Sequence, residues 1–157
     1  MPEQAAGRFV RMFLSKSFGY ALRSILYLVL AHDENKRIQL SEIAGKLNIP
    51  RHFLGKVMKR LAKEGVLLSQ KGPMGGFIIN GQTLQTPLIK IAMITGESAH
   101  FDSCVLRLKK CNSQQPCPLH QQALQIRDKW LDLLSSVTVS DLYKKDQADF
   151  IKSIANI

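Results

Sequence analysis

One stretch narrows the possible folds more than any other. Between Leu40 and Asn80 the chain presents, in order, a short amphipathic helix, a proline-marked turn, a cationic helix and a glycine-rich hairpin. Leu40, Ile43, Ala44 and Leu47 follow the i, i+3, i+4, i+7 spacing of one buried helix face. Ser41 is the expected N-cap. Asn48-Ile49-Pro50 then breaks the helix, and Pro50 suits the first turn of the next, where its missing N–H costs nothing. The second helix, about Arg51 to Glu64, would bury Leu54, Val57, Met58 and Leu61 and turn Arg51, His52, Lys56, Lys59, Arg60 and Lys63 outward. Two helices joined by a turn of about three residues are a helix-turn-helix.

The hairpin completes the unit. After Gly65, an expected C-cap, Val66–Gln70 reads as a strand, Lys71-Gly72-Pro73-Met74-Gly75-Gly76 as a turn and Phe77–Asn80 as the returning strand, a two-stranded wing. The turn is no phosphate-binding loop, since neither Gly-Lys-Ser/Thr nor a helix follows it. In such a unit the second helix lies in the major groove, so its N-terminal residues Pro50, Arg51, His52, Gly55 and Lys56 are candidate DNA contacts. Lys59, Arg60 and Lys63 would sit nearer phosphates, and Lys71 on the wing would meet the minor groove or a phosphate. Gly55 costs about 1 kcal/mol in a helix interior, and either a close approach to DNA or close packing on another helix accounts for it.

Charge agrees with a polyanionic partner. Over 157 residues the formal net charge is +10. Residues 36–71 carry +7 of it, from Lys36, Arg37, Lys46, Arg51, Lys56, Lys59, Arg60, Lys63 and Lys71 against Glu42 and Glu64. With 45% hydrophobic and 22% charged residues the chain is a folded protein of about one domain, neither disordered nor low in complexity. The most apolar run, Ala21 to Ala31, is too short for a membrane span and contains Arg23, which also spoils a signal-peptide reading. No membrane association is expected.

The second constellation is Cys104, Cys111 and Cys117, with His120 three residues after the last cysteine. Three cysteines cannot all pair within the chain, and their crowding is unlike a disulfide framework, so a reducing cytoplasm is expected. The intervening residues are loop-like, which lets thiolates converge, and Lys109 and Lys110 are expected to favour the thiolate form. Three thiolates and an imidazole suit iron in a cluster, or zinc, rather than magnesium or calcium. The spacing matches neither a zinc finger nor a ferredoxin. His100 is a more distant possible ligand, inert or oxidisable thiols are the plainer reading, and a catalytic Cys/His pair lacks an orienting third group.

The rest of the chain frames these two features. Phe18 to Leu30 reads as a buried helix with Phe18, Leu22, Ile25, Leu26 and Val29 on one face, and Thr86 to Gly96 as a short capped helix. From Leu119, apolar residues at 119, 123, 126, 130, 133 and 137 form the seam of a long helix that packs along a partner, although Leu124, Leu131 and Leu134 widen the face. The expected fold is mainly α with a small β wing: a winged helix-turn-helix plus a long C-terminal dimerisation helix. The expected organisation is an extension at 1–11, the DNA-binding domain at 12–85, a linker helix and cysteine loop at 86–118, and the dimerisation helix and tail at 119–157.

From about Met12 to Leu142 the chain resembles the IscR/NsrR/CymR (Rrf-two) family of bacterial winged-helix regulators. The resemblance rests on Tyr20-Ala-Leu-Arg, Leu40-x-x-Ile-Ala, Ile49-Pro-x-x-Phe-Leu, Gly72-x-x-Gly-Gly-Phe, the three cysteines and Val139-Ser-Asp-Leu. It implies no enzyme but a cytoplasmic homodimer that represses or activates transcription at partly palindromic double-stranded operators. In cysteine-bearing members it implies an iron-sulfur sensor of redox state, nitric oxide or cluster supply. Cys104, Cys111 and Cys117 would hold the iron, and His120 would match the histidine of regulators carrying a 2Fe-2S centre. Some nitric-oxide sensors with a 4Fe-4S centre use an aspartate just before the Tyr-Ala-Leu-Arg stretch, where this chain has Gly19. The resemblance therefore favours 2Fe-2S over 4Fe-4S, with zinc as the alternative. Six residues between the first two cysteines, one more than is common in cluster-biogenesis regulators, leave the branch open.

Overall fold

A computed structural model describes residues 14–33 and 36–143. The expected N-terminal extension and the end of the C-terminal tail lie outside the described residues. Helix α1 (Lys16–Leu30) begins at Ser15, whose hydroxyl accepts from the Phe18 N–H at 3.2 Å and so satisfies one orphan donor of the first turn. The helix is apolar on most sides because it is the central element. Phe18, Ala21, Ile25, Leu26, Leu28 and Val29 are buried, and the helices at Arg51–Lys63 and Leu88–Thr95 and the strand at Gly76–Ile79 pack around it.

Helix α2 (Leu40–Leu47) and helix α3 (Arg51–Lys63) form the expected pair, with Ile43, Ala44 and Leu47 of one against Leu54, Val57, Met58 and Leu61 of the other. The expected cap at Ser41 is not found. Gln39 occupies the N-cap position without a side-chain bond, because Leu40 is already helical and packs beside Gly55 of α3. Ser41 therefore falls inside the first turn, too late to cap. Asn48 closes α2 in the left-handed conformation, which a short polar side chain tolerates, and Pro50 is the N-cap of α3. Gly65, at φ +75°, ends α3. Its N–H reaches the Ala62 carbonyl at 3.1 Å and that of Val66 reaches Leu61 at 2.9 Å, the two bonds of a Schellman motif.

Strands β1 (Leu67–Gln70) and β2 (Gly76–Ile79) pair antiparallel, with Leu67 opposite Ile79 and Gln70 opposite Gly76. Ile38 adds a third, bridging position through two bonds to Phe77 of 2.8 and 2.9 Å. This pairing explains the double glycine before Phe77. A Cβ on Gly76 would lie 2.5 Å from the Ile38 carbonyl oxygen, and one on Gly75 would overlap the Gln70 carbonyl.

Helix α4 (Leu88–Thr95) ends at Gly96 in the left-handed region and leads into a single turn, α5 (Ser98–Phe101). After the cysteine segment come α6 (His120–Ser136) and a short helix that the sequence reading did not separate, α7 (Val139–Leu142). Thr138 and Asp141 form a capping box for α7. Backbone bonds from Leu88 to Val137, Val139 to Thr86 and Ser140 to Leu84 strap the end of α6 to the body. The whole is mainly helical with a two-stranded antiparallel wing. Among the described residues no helix is long and apolar enough to cross a membrane.

Candidate metal centre and nucleic-acid interface

The 104–117 segment has no hydrophobic core of its own. Between residues 102 and 119 every residue is exposed except Cys104, Cys111 and Cys117, which are half-buried. Turns fold the segment back on itself: Arg107 adopts φ +54° and donates to the Cys104 carbonyl, and the Asn112 carboxamide oxygen accepts from the N–H groups of Gln114 and Gln115. The three sulfurs thereby lie within 4.8 Å of one another, with Cys104 and Cys117 3.8 Å apart. His120, the first residue of α6, brings Nδ1 to 3.2 Å from the Cys111 sulfur. All four residues singled out in the sequence are therefore brought together. His100 borders the same cleft but is exposed and stands outside the group of sulfurs.

The donor set fits a soft metal. Two thiolates on one tetrahedral centre, with metal–sulfur bonds of about 2.3 Å, stand about 3.8 Å apart, the separation found for Cys104 and Cys117. No carboxylate belongs to the group, so a hard, oxygen-seeking cation does not fit. The Cys104 thiol is more acidic than usual, chiefly because the Leu108 backbone N–H supports its thiolate. The lysines expected to do this are not among the causes. At Cys111 the backbone N–H of Cys117 pulls the same way, but desolvation and the neighbouring sulfurs outweigh it and raise the thiol.

The sulfurs open on a cleft of about 540 Å³ between the loop and α6, walled by Phe101, Val105, Leu124, Ile126, Arg127 and Trp130. Sequence reasoning missed two groups behind it. Glu97 is fully buried at the start of α5, and its Oε1 accepts from both the backbone N–H and the hydroxyl of Ser15, which ties the head of α5 to the head of α1. A buried acid seven residues before a cysteine carries no local signal, since its partner lies 82 positions away.

The second surface is α3. Pro50, Arg51, His52, Lys56, Lys59 and Arg60 are exposed along it, as is Lys71 on the wing, and among the described residues no ion pair neutralises the cations of α3. Gly55 departs from the expected set of DNA contacts. It is buried at the flank of the charged face, where a Cβ would meet Leu40 Cδ2 at 3.2 Å. Its missing side chain lets α2 and α3 approach, and close packing is thus the reason for the glycine. Phe53 is an unexpected member of the outer face, exposed beside the His52 ring at 4.3 Å between centroids. Lys56 and Arg60 also border a small cleft of about 230 Å³ with Ser17, Tyr20 and Thr95.

Similarity to known proteins gives the chain its family and its fold. Residues 14–145 match the family model Rrf2, described as an iron-dependent transcriptional regulator. A candidate HTH-type transcriptional regulator of Aquifex aeolicus is 33% identical over 133 residues, covering 83% of this chain and 91% of the other. IscR of Pectobacterium atrosepticum, an HTH-type transcriptional regulator, is 24% identical over 131 residues, covering 83% and 79%. Among solved structures, CymR, the global cysteine regulator of B. subtilis, superposes with a TM-score of 0.62 at 22% identity, over 82% of this chain and 94% of that one.

Proposed function

The chain belongs to the Rrf2 family of transcriptional regulators, and from that premise we propose that it is a homodimer whose affinity for a partly palindromic DNA operator follows the state of an iron-sulfur cluster. Membership makes it a regulator with a three-cysteine cluster rather than an enzyme. The observation that carries the finer reading is the convergence of the three sulfurs within 4.8 Å, with His120 3.2 Å from Cys111. Cys104, Cys111, Cys117 and His120 would hold the cluster, 2Fe-2S in preference to 4Fe-4S, because an imidazole completes the donor set. When bound, it supplies a reversible one-electron change and sensitivity to oxidants or nitric oxide.

The chain's own residues supply the rest. Pro50, Arg51, His52 and Lys56 face base edges or the backbone beside them, while Lys59, Arg60 and Lys71 neutralise phosphates. The partner copy is favoured by α6, which leaves Leu119, Ile126 and Leu133 exposed along its seam while Leu134 turns into the chain's own core. The 104–117 segment, having no core, is ordered by what its sulfurs hold. That order passes through the buried Glu97–Ser15 contact to α1, against which α3 packs. A state-dependent affinity requires the two states to bind DNA differently, since a ligand bound equally by both shifts nothing.

Anaerobic purification with iron, sulfide and zinc analysis, paired with DNA titrations of metal-loaded and stripped protein, tests this. The expected result is a brown protein with iron and sulfide, colourless as Cys111→Ala, whose two forms differ in DNA affinity. Equal affinities would sink the coupling. A second reading, zinc binding or thiol oxidation at the same residues, is favoured by the 3.8 Å approach of Cys104 to Cys117, and a colourless protein carrying zinc or titratable thiols would select it. Replacing Lys59 and Arg60 together by alanine is expected to lower the slope of log affinity against log salt by about 1.8, for two lost phosphate contacts.

A further inference from the structure

We propose that Pro73 and Met74, at the tip of the wing, form an apolar wedge that enters the minor groove of the operator and opens a base step, so that the protein kinks its DNA. The proposal rests on the DNA-binding reading above and adds to it a deformation and a preference for deformable sequence. Met74 is 87% exposed, more than any other large apolar side chain among the described residues. A lone exposed methionine is ordinary on a mobile loop, but this one is held in place.

Gly72 and Gly75 close the turn through a 2.9 Å bond from the Gly75 N–H to the Gly72 carbonyl. The side-chain amide of Gln39, at the head of α2, donates to the Pro73 carbonyl at 2.8 Å and ties the tip to the helix-turn-helix. Gly75 and Gly76 lie so close to the Gln70 and Ile38 carbonyls that no Cβ fits. The tip is thus a preset part of the surface that carries α3.

The surroundings select the partner. Lys71, Gly72, Pro73 and Met74 are all exposed, and the helix-turn-helix to which Gln39 ties the tip presents Lys56, Lys59 and Arg60 on α3. Beside the Lys71 cation, on a wing joined to the helix-turn-helix, so exposed an apolar side chain suits a partner that is charged outside and apolar within. Duplex DNA matches it, with an anionic exterior and an apolar stack of bases within. An unbranched, polarisable methionine conforms to a partly opened step, and proline and methionine are among the residues that act as such wedges. Pyrimidine–purine steps unstack with least resistance, and these would be preferred under the wing.

The test uses duplexes selected from a random-sequence pool with the wild-type protein and labelled at both ends for energy transfer. Wild type is expected to shorten the end-to-end distance. Met74→Ala is expected to bind about tenfold more weakly, the low end of what bending a site costs, with its salt slope intact, its bend lost and no penalty when TA or CA steps are replaced by an A-tract. Met74→Leu should restore the bend. A wild-type complex without a bend, or a Met74→Ala complex bent like wild type, would overturn the wedge while leaving DNA binding in place. Failure of every form to bind duplex DNA would remove the underlying reading as well, and is recognised by the absence of any salt-dependent association.

Discussion

The wing-and-helix body and the cysteine segment are built on opposite plans. In the body, α1, α2, α3 and the wing share one buried apolar cluster, in which Ile25, Ile43, Leu54, Met58, Leu61 and Leu67 have almost no exposure. In the segment from 102 to 119 no residue is buried, the apolar side chains Val105, Leu106 and Leu108 point outward, and only the cysteines turn in. Hydrophobic burial specifies the first region whatever it binds. The second has only its turns and its sulfur chemistry to organise it, and on the function proposed above a loop so thinly supported is one that can report its ligand's state.

Three substitutions sharpen that contrast. Ile25→Ala, at the centre of the body, is expected to cost about 2–5 kcal/mol in urea unfolding and to degrade DNA binding and metal binding together, because both surfaces stand on α1. Thr138→Ala removes one half of the capping box at the strap between α6 and the body. It is expected to cost about 1 kcal/mol and to loosen the cysteine cleft, read as faster hydrogen exchange in α6 with little change in α3. Cys111→Ala, or treatment with a chelator, is expected to leave the unfolding free energy of the body within about 0.5 kcal/mol. Limited proteolysis should then cut selectively between 102 and 119. A body that melted on metal loss would erase the distinction between the two regions.

Much of the body was legible because its signals are local. The stripe at 40, 43, 44 and 47, the proline at 50, the cations of α3 and the glycines at 65 and 75 each report a conformation within a few residues. Where local reasoning went astray, a distant contact had decided the matter. Ser41 lost its cap because Leu40 is drawn against Gly55, and the same contact moved Gly55 from the DNA face to the interior. In the candidate metal site the four donors were legible as a cluster of residue types. Glu97, Ser15 and the apolar wall of α6 were not, because each acquires its role from a residue far along the chain.

The sequence by itself determined the order of elements, the side of α3 that carries charge and the identity of the soft donors, since periodicity, turn chemistry and side-chain chemistry act over a few residues. Only the tertiary structure decided that the sulfurs and His120 meet within hydrogen-bonding reach, and that the end of α6 is strapped to α4. It also decided that the wing tip is anchored to the head of α2. The sulfurs meet through turns of their own loop and the start of α6, whereas the strap and the anchored tip follow from packing one apolar cluster among segments as far apart as Phe18 and Val139, which no short window of sequence contains.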